Sequence, residues 1–224
     1  MLRILLLLAF ITASPFAFAQ ENAEKDKDED KKEKKDPYKE LMEDADMEEG
    51  LFGVINKEGK LYFELPLSLL EDEILIVSRI KGFVKGLNFG GAGTKSRPQQ
   101  VVRWQKHGKK ILLRSVSYNS VASPDDPVYE SVRNNNFEPI VDAFDIKAYG
   151  KDSASVVIDV TSFFTTDVTM IGAMSDGQRK KFGIKALDKS RSLIMSTKAF
   201  PSNVEVRHVL TYTGSKLPDN QVTG

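Results

Sequence analysis

The sequence predicts a mainly β protein, an antiparallel sandwich or open barrel with a few short peripheral helices. Three observations carry this. About eight to ten apolar runs rich in Val, Ile, Leu, Phe and Tyr are bounded by Gly, Pro, Asn or Asp. Two pairs of neighbouring runs flank turn segments of hairpin character, Asn56–Gly59 and Lys106–Lys109. The stretches with helical spacing are two or three and brief, so no long helix alternates with the strands and antiparallel pairing is expected.

Taken in order, the chain opens with a single cation at Arg3, the unbroken apolar run Ile4–Ile11, and the small residues Ala17 and Ala19. This is the pattern of a secretory signal peptide, residues 1–19, cut before Gln20. Thr12, Ser14 and Pro15 break the run well short of the ~20 apolar residues that span a bilayer, so no stable membrane anchor is expected. The 224 residues contain no Cys, which rules out disulfides, thiolate ligands, a Cys nucleophile and a lipid-modified Cys. The expected destination is periplasmic or extracellular.

Residues 20–36 read as a charged disordered linker, since a segment with almost nothing to bury cannot offset the entropy of ordering. The neutrality of the whole chain conceals this asymmetry: residues 20–49 are acidic and the remainder is mildly basic. The cations of that remainder are dispersed along strands, so no nucleic-acid partner is expected.

Residues 37–85 are expected as a short unit of helix plus hairpin. Tyr38, Leu41, Met42 and Ala45 fall on one face of a helix extending to Met47. Leu51–Ile55 and Leu61–Leu65 form a hairpin, and Ile74–Ile80 reads as a second core strand beside Leu61–Leu65. Tyr62, Glu64 and Arg79 are the residues singled out there for stability, not for substrate contact.

Residues 86–224 are expected as a larger β domain, truncated at its C-terminus. Gly82–Ser96 reads as a glycine-rich loop, and Gly90–Ser96 fails the phosphate-loop spacing because Phe89 and Thr94 stand where glycines are needed. Gln100–Tyr118 is a hairpin with His107 and Gly108 in its turn. Val128–Arg133 is a short helix, Phe137–Tyr149 and Ser155–Val160 are strands, and Gly172–Ala186 is a polar surface segment. Arg191–Lys198 and Val204–Thr213 close the chain, with Val204, Val206, His208, Leu210 and Tyr212 on one apolar face.

Chemistry is sparse. His107 reads as a solvated turn residue and His208 as a satisfied, partly buried one; neither has a partner at metal-ligand spacing. Asp125 with Asp126, and Asp142 with Asp145, are the candidate carboxylate pairs, and turn capping or solvation accounts for both. No catalytic, cofactor-binding or metal residue is assigned.

The ordered matches Pro37-Tyr38, Gly50–Val54, Gly59–Pro66, Ile74–Arg79, Val101–Trp104, Ile111–Tyr118, Glu138–Asp145 and Val157–Thr161 together resemble the N-terminal region of exported bacterial zinc-dependent metalloproteases of the metzincin-like type. The resemblance implies two uncharacterised domains, one short and one longer, ahead of a catalytic domain with a His-Glu-x-x-His helix. That helix is not in this sequence. The resemblance therefore implies a fragment or truncated product, a non-catalytic accessory region whose partner is its own downstream catalytic domain or a protein substrate. Zinc is expected only in the missing domain. The alternative is a free-standing periplasmic or surface β domain that binds protein or glycan.

Overall fold

The computed structural model describes residues 36–84, 86–87, 91–215 and 220–223. The expected signal peptide and all of the expected linker except Asp36 lie outside the described residues, as does Gly90 of the glycine-rich loop.

Asp36 caps the first helix, α1 (Pro37–Met42), accepting from the Tyr38 amide, and Pro37 sits at the first position, where its missing N–H costs nothing. The helix is shorter than the spacing predicts. It stops at Met42, Asp44 adopts a positive φ of 56°, and Asp46–Glu48 become an edge strand, β1. Acidic residues at 43, 44, 46, 48 and 49 offer no apolar stripe to carry a longer helix. The hairpin β2 (Gly53–Lys57) and β3 (Lys60–Pro66) follows as expected, turning on Glu58 and Gly59, both at positive φ.

β3 is a core strand: Leu61, Phe63 and Leu65 face inward and are buried, while Tyr62 and Glu64 face α1. The expectation for Ile74–Ile80 is corrected. Only Glu73–Ile76 forms a strand, β4, and it does not lie beside β3: it pairs with β6 (Gln100–His107) at the end of the sheet. With a neighbour on one side alone, Leu75 stays 57% exposed and Val77 41%. The unbroken apolar run reflects a strand that borders a cleft.

β6 and β7 (Lys110–Val116) make the predicted hairpin, its turn one residue later than expected: His107 ends β6 opposite Lys110, and Gly108, at φ 59°, begins the turn. β8 (Ile140–Tyr149) and β9 (Ser155–Asp159) complete one curled antiparallel sheet of eight strands, ordered β1-β2-β3-β9-β8-β7-β6-β4. Strands before and after residue 85 thus share this sheet. A bulge between Ile146 and Ala148 sends these same-parity residues to opposite faces. Ile146 packs toward the inner core of Phe63, Trp104, Phe144 and Ile158, and Ala148 lies with Ile55 and Val157 under α1.

The chain after β9 closes over the concave face. α3 (Thr161–Thr165) buries Phe163 against it. The segment expected as polar surface is only partly so. Its helix α4 (Asp176–Phe182) is polar and carries a Ser175/Gln178 capping box, but Met174 before it and Ile184 after it are buried. Arg97 fixes the approach to α4 by donating to the Gly172 and Met174 carbonyls, at 3.1 and 3.2 Å.

β10 (Ile184–Leu187), β11 (Leu193–Phe200), β12 (Asn203–Gly214), β13 (Asn220–Thr223) and β5 (Gly82–Phe83) form the second sheet, antiparallel throughout. β12 alternates as predicted, with His208, Leu210 and Tyr212 buried. α2 (Tyr129–Asn135) is peripheral and exposed. Among the described residues no helix is long and apolar enough to cross a membrane.

A cleft between two strand margins

A cleft of about 1230 Å³ lies between the curled sheet and β12. Its floor is aromatic. Phe52 and Phe63 stand 4.8 Å apart between ring centroids, Phe63 and Phe164 5.9 Å, Phe163 and Phe164 5.2 Å, and Trp104 reaches this group through Phe144. Edge-to-face packing of this kind fixes ring positions and leaves an apolar, rigid surface. Such a floor favours apolar side chains. The volume exceeds the ~300–1,000 Å³ common for clefts that hold small ligands.

The two long walls are strand margins that carry backbone groups without a backbone partner among the described residues. On one side, the Ser78 carbonyl accepts from the Ser96 amide at 3.0 Å and the Ile80 amide donates to the Thr94 carbonyl at 2.9 Å. Alternation along the strand therefore turns the amides and carbonyls of Val77 and Arg79 away from residues 93–96. On the other side, the Ala199 amide of β11 is taken by the Glu48 carboxylate at 2.9 Å, so the pair Ala199 and Val204 is not bonded within the ladder. Val204 and Val206 of β12 therefore direct their amides and carbonyls away from β11. Val209 settles which side this is, because it pairs with Leu193 of β11 on one flank and Thr223 of β13 on the other.

The rims carry charge of both signs. Arg79, Lys81 and Arg207 stand toward the β13 end, with Glu205 beside Arg207 at 3.9 Å; Asp72 and Glu73 stand at the far end. Arg79 donates to the Gly93 carbonyl at 3.0 Å, and Glu73 pairs with Arg103 at 3.3 Å and accepts from Tyr118.

His208 lines the cleft and is 8% exposed. Its Nδ1 lies 2.6 Å from the Phe164 carbonyl, which can only accept, so the neutral ring carries its proton on Nδ1. Burial lowers its pKa, and the hydrogen bond to the Phe164 carbonyl opposes this in part. The ring is a satisfied buried histidine, as the sequence suggests.

The other residues weighed from sequence do not gather here. His107 is exposed at the end of β6. Asp145 pairs with Lys110 at 2.7 Å, and Asp142 accepts from the Ala143 amide at 2.8 Å. Asp126 caps its turn by accepting from the Ser123 amide at 2.9 Å. Thr94 of the glycine-rich loop ties back to the Gly91 amide, and the loop leads to β6, not to a helix. Among the described residues no three His, Asp or Glu side chains converge as a metal-ligand set, so these residues do not fit a zinc centre.

Sequence reasoning placed Leu75 and Val77 in a core strand and Val204 and Val206 on the apolar face of the last strand, and did not see that they border a cleft with Phe163 in its floor. One signal was available. Ile74–Val77 is apolar without alternation and sits beside acidic and basic neighbours, which suits a strand margin open to a partner.

Residues 93–223 match the family described as domain of unknown function DUF5117, and residues 35–83 match the family described as domain of unknown function DUF5118. No curated protein matches the chain. No solved structure matches it either.

Proposed function

The chain belongs to the DUF5117 family of domains of unknown function, and we propose that it serves as the non-catalytic N-terminal accessory region of an exported zinc-dependent metallopeptidase. In this reading it packs on the catalytic domain or orients protein substrate toward it. The observation that carries the reading is the cleft: it is larger than a small ligand needs, apolar in its floor, and walled by strand margins whose outer backbone groups have no backbone partner among the described residues. The ordered sequence resemblance to that metallopeptidase type supplies the direction. Zinc chemistry has no seat among the described residues, so no step of the proposal runs through the metal here.

Export follows the same reading, with the leader removed before Gln20. Two measurements test it. Amino-terminal sequencing of the product recovered from the envelope fraction should begin at Gln20; recovery of an intact Met1 from the cytosol would end the export part. Reading the gene in frame past the Gly224 codon should reveal a His-Glu-x-x-His segment, and a stop codon there would remove the metallopeptidase part.

A further inference from the structure

We propose that the outer face of β4, β6 and β7 is a binding surface for an uncharged glycan chain, on which the rings of Tyr118 and Phe137 stack sugars while Glu73, Arg103, Arg114 and Glu138 pair with their hydroxyls. The face lies on the side of the sheet turned away from the aromatic core. The inference goes beyond the accessory reading and does not rest on it.

Alternation decides which side chains reach this face. Val102, Trp104 and Leu113 pack inward, so Arg103 of β6 and Arg114 of β7 point outward, and Glu73 does the same beside the inward Ile74 of β4. The register sets Glu73, Arg103 and Arg114 in one row across the three strands. Two guanidinium groups directly opposite one another are unfavourable by themselves. Glu138 offsets this: its carboxylate accepts from Arg103 at 3.1 Å and its carbonyl from Arg114 at 2.8 Å, while Glu73 accepts from Arg103 at 3.3 Å. The two rings are pinned to the ends of this row. Tyr118 donates to Glu73, and the Arg114 guanidinium lies 4.9 Å from the centroid of Phe137. Pinned as they are, Tyr118 stays 57% and Phe137 72% exposed.

The chemistry of the row selects the ligand. An exposed ring already held in place loses little entropy on binding, and its electron-rich face suits the C–H face of a sugar. The planar groups between the rings are likewise oriented by their mutual bonds, which use only some of the five N–H donors of each guanidinium and the roughly four lone-pair sites of each carboxylate. Arg103 and Arg114 are balanced by Glu73 and Glu138, so the row offers many donors and acceptors without net charge. An anionic polymer gains no attraction from such a row, whereas a hydroxyl finds both an acceptor for its proton and a donor for its oxygen. Glu73 and Arg114 stand two interstrand spacings apart, about 10 Å, a span that calls for a chain of sugars over a single one.

The test titrates the full chain with short neutral oligomers of glucose, xylose, mannose and N-acetylglucosamine, and with an oligomer of galacturonic acid as the charged comparison. Saturable binding of at least one neutral oligomer is expected with Kd at or below about 1 mM, unchanged by added salt and weaker for the corresponding monosaccharide. Phe137→Ala and Tyr118→Ala should each weaken it about fivefold or more, while Phe137→Tyr and Tyr118→Phe keep a ring and should retain most of it. The urea midpoint checks that each variant is folded; should one alanine variant fail to fold, the other decides together with the salt response of the wild-type chain. The proposal is overturned if no neutral oligomer binds in that range, if the galacturonate oligomer binds tighter, or if the alanine variants bind as the wild type does. Self-association of the wild-type chain that Phe137→Ala abolishes would make the occupant a second copy and overturn it as well. None of these results depends on the gene's reading frame, so loss of the metallopeptidase reading and loss of the glycan surface are told apart.

Discussion

The Tyr38 hydroxyl donates to the Glu64 carboxylate at 2.9 Å, joining α1 to β3 across 26 residues of sequence. The other carboxylate oxygen of Glu64 accepts from the Ser155 hydroxyl of β9 at 2.5 Å. Three elements meet at one side chain, on the sheet face opposite the cleft. The burial of Tyr38 and the carboxylate beside it push the phenol up to about 12, so the hydroxyl stays a donor across the physiological range.

Tyr38→Phe removes the donor and keeps the ring, so it should destabilise by about 1 kcal/mol, read from the urea midpoint. Gly150→Ala is the harsher change. A Cβ there would overlap both the Ser155 hydroxyl and the Glu64 carboxylate, with no positive φ involved, so the loss is steric. Overpacking of this kind costs about 1–3 kcal/mol. Equal stability of Gly150→Ala and the wild type would show that the cluster yields freely.

Arg179 on α4 grips Asp167 through both guanidinium nitrogens, and the Tyr212 hydroxyl of β12 donates to the same carboxylate at 3.1 Å. The Arg179 hydrogen bonds hold Asp167 below the usual carboxylate range, against the opposing effect of burial. A depressed acid stabilises the fold above its unfolded value and loses that contribution as pH falls through the folded one. Stability should therefore fall below about pH 4. Asp167→Asn should cost about 2 kcal/mol at neutral pH and flatten that acid limb, because it leaves a half-buried guanidinium without its anion.

The hairpins were legible because turn chemistry and alternation agree locally: Gly59 and Gly108 both take positive φ between apolar runs. His208 was legible for the same reason, since its neighbours at 204, 206, 210 and 212 fix its face. Ile74–Ile80 was misread because an apolar run says nothing about how many neighbours a strand has. The position of β4 at a sheet end is decided by β6, about 25 residues later in the chain. α1 was overextended for a related reason: Ala45 and Met47 are apolar at helical spacing, yet Met47 pairs with Ile55 in β1. Apart from the non-alternating apolar run Ile74–Val77 at one margin, the cleft was beyond local pattern. Its floor and walls come from residues near 52, 77, 104, 163 and 206, and only the long-range pairing of two sheets brings them together.

Gly50 lies where the first strands meet the β11–β12 turn. The Leu51 amide donates to the Phe200 carbonyl at 2.7 Å, and a Cβ on Gly50 would stand 2.6 Å from that carbonyl and 2.7 Å from the Phe200 amide. Both obstacles are backbone, which cannot rotate aside. Gly50→Ala should therefore cost about 1–3 kcal/mol and loosen the β11–β12 hairpin. Amide exchange at Ala199 and Phe200 should quicken in this variant; unchanged rates there would show that the hairpin does not depend on the close approach of Gly50.

His208 gives the chain a pH response of opposite origin to that of Asp167. Burial depresses its pKa, so the folded state prefers the neutral ring while the unfolded chain takes up a proton near pH 6.5. Above that value the histidine costs nothing. As pH falls through it, the unfolded state gains a proton that the folded state resists, and stability declines until the lowered folded value is reached. The urea midpoint should therefore drop between pH 7.5 and 5. His208→Gln should remove the histidine part of the drop, at a constant cost from altered packing against Phe164, whose ring lies 5.9 Å from the imidazole. His107→Gln, at an exposed position, should leave the drop as it was. An identical decline in the His208→Gln and wild-type proteins would place the response on other groups.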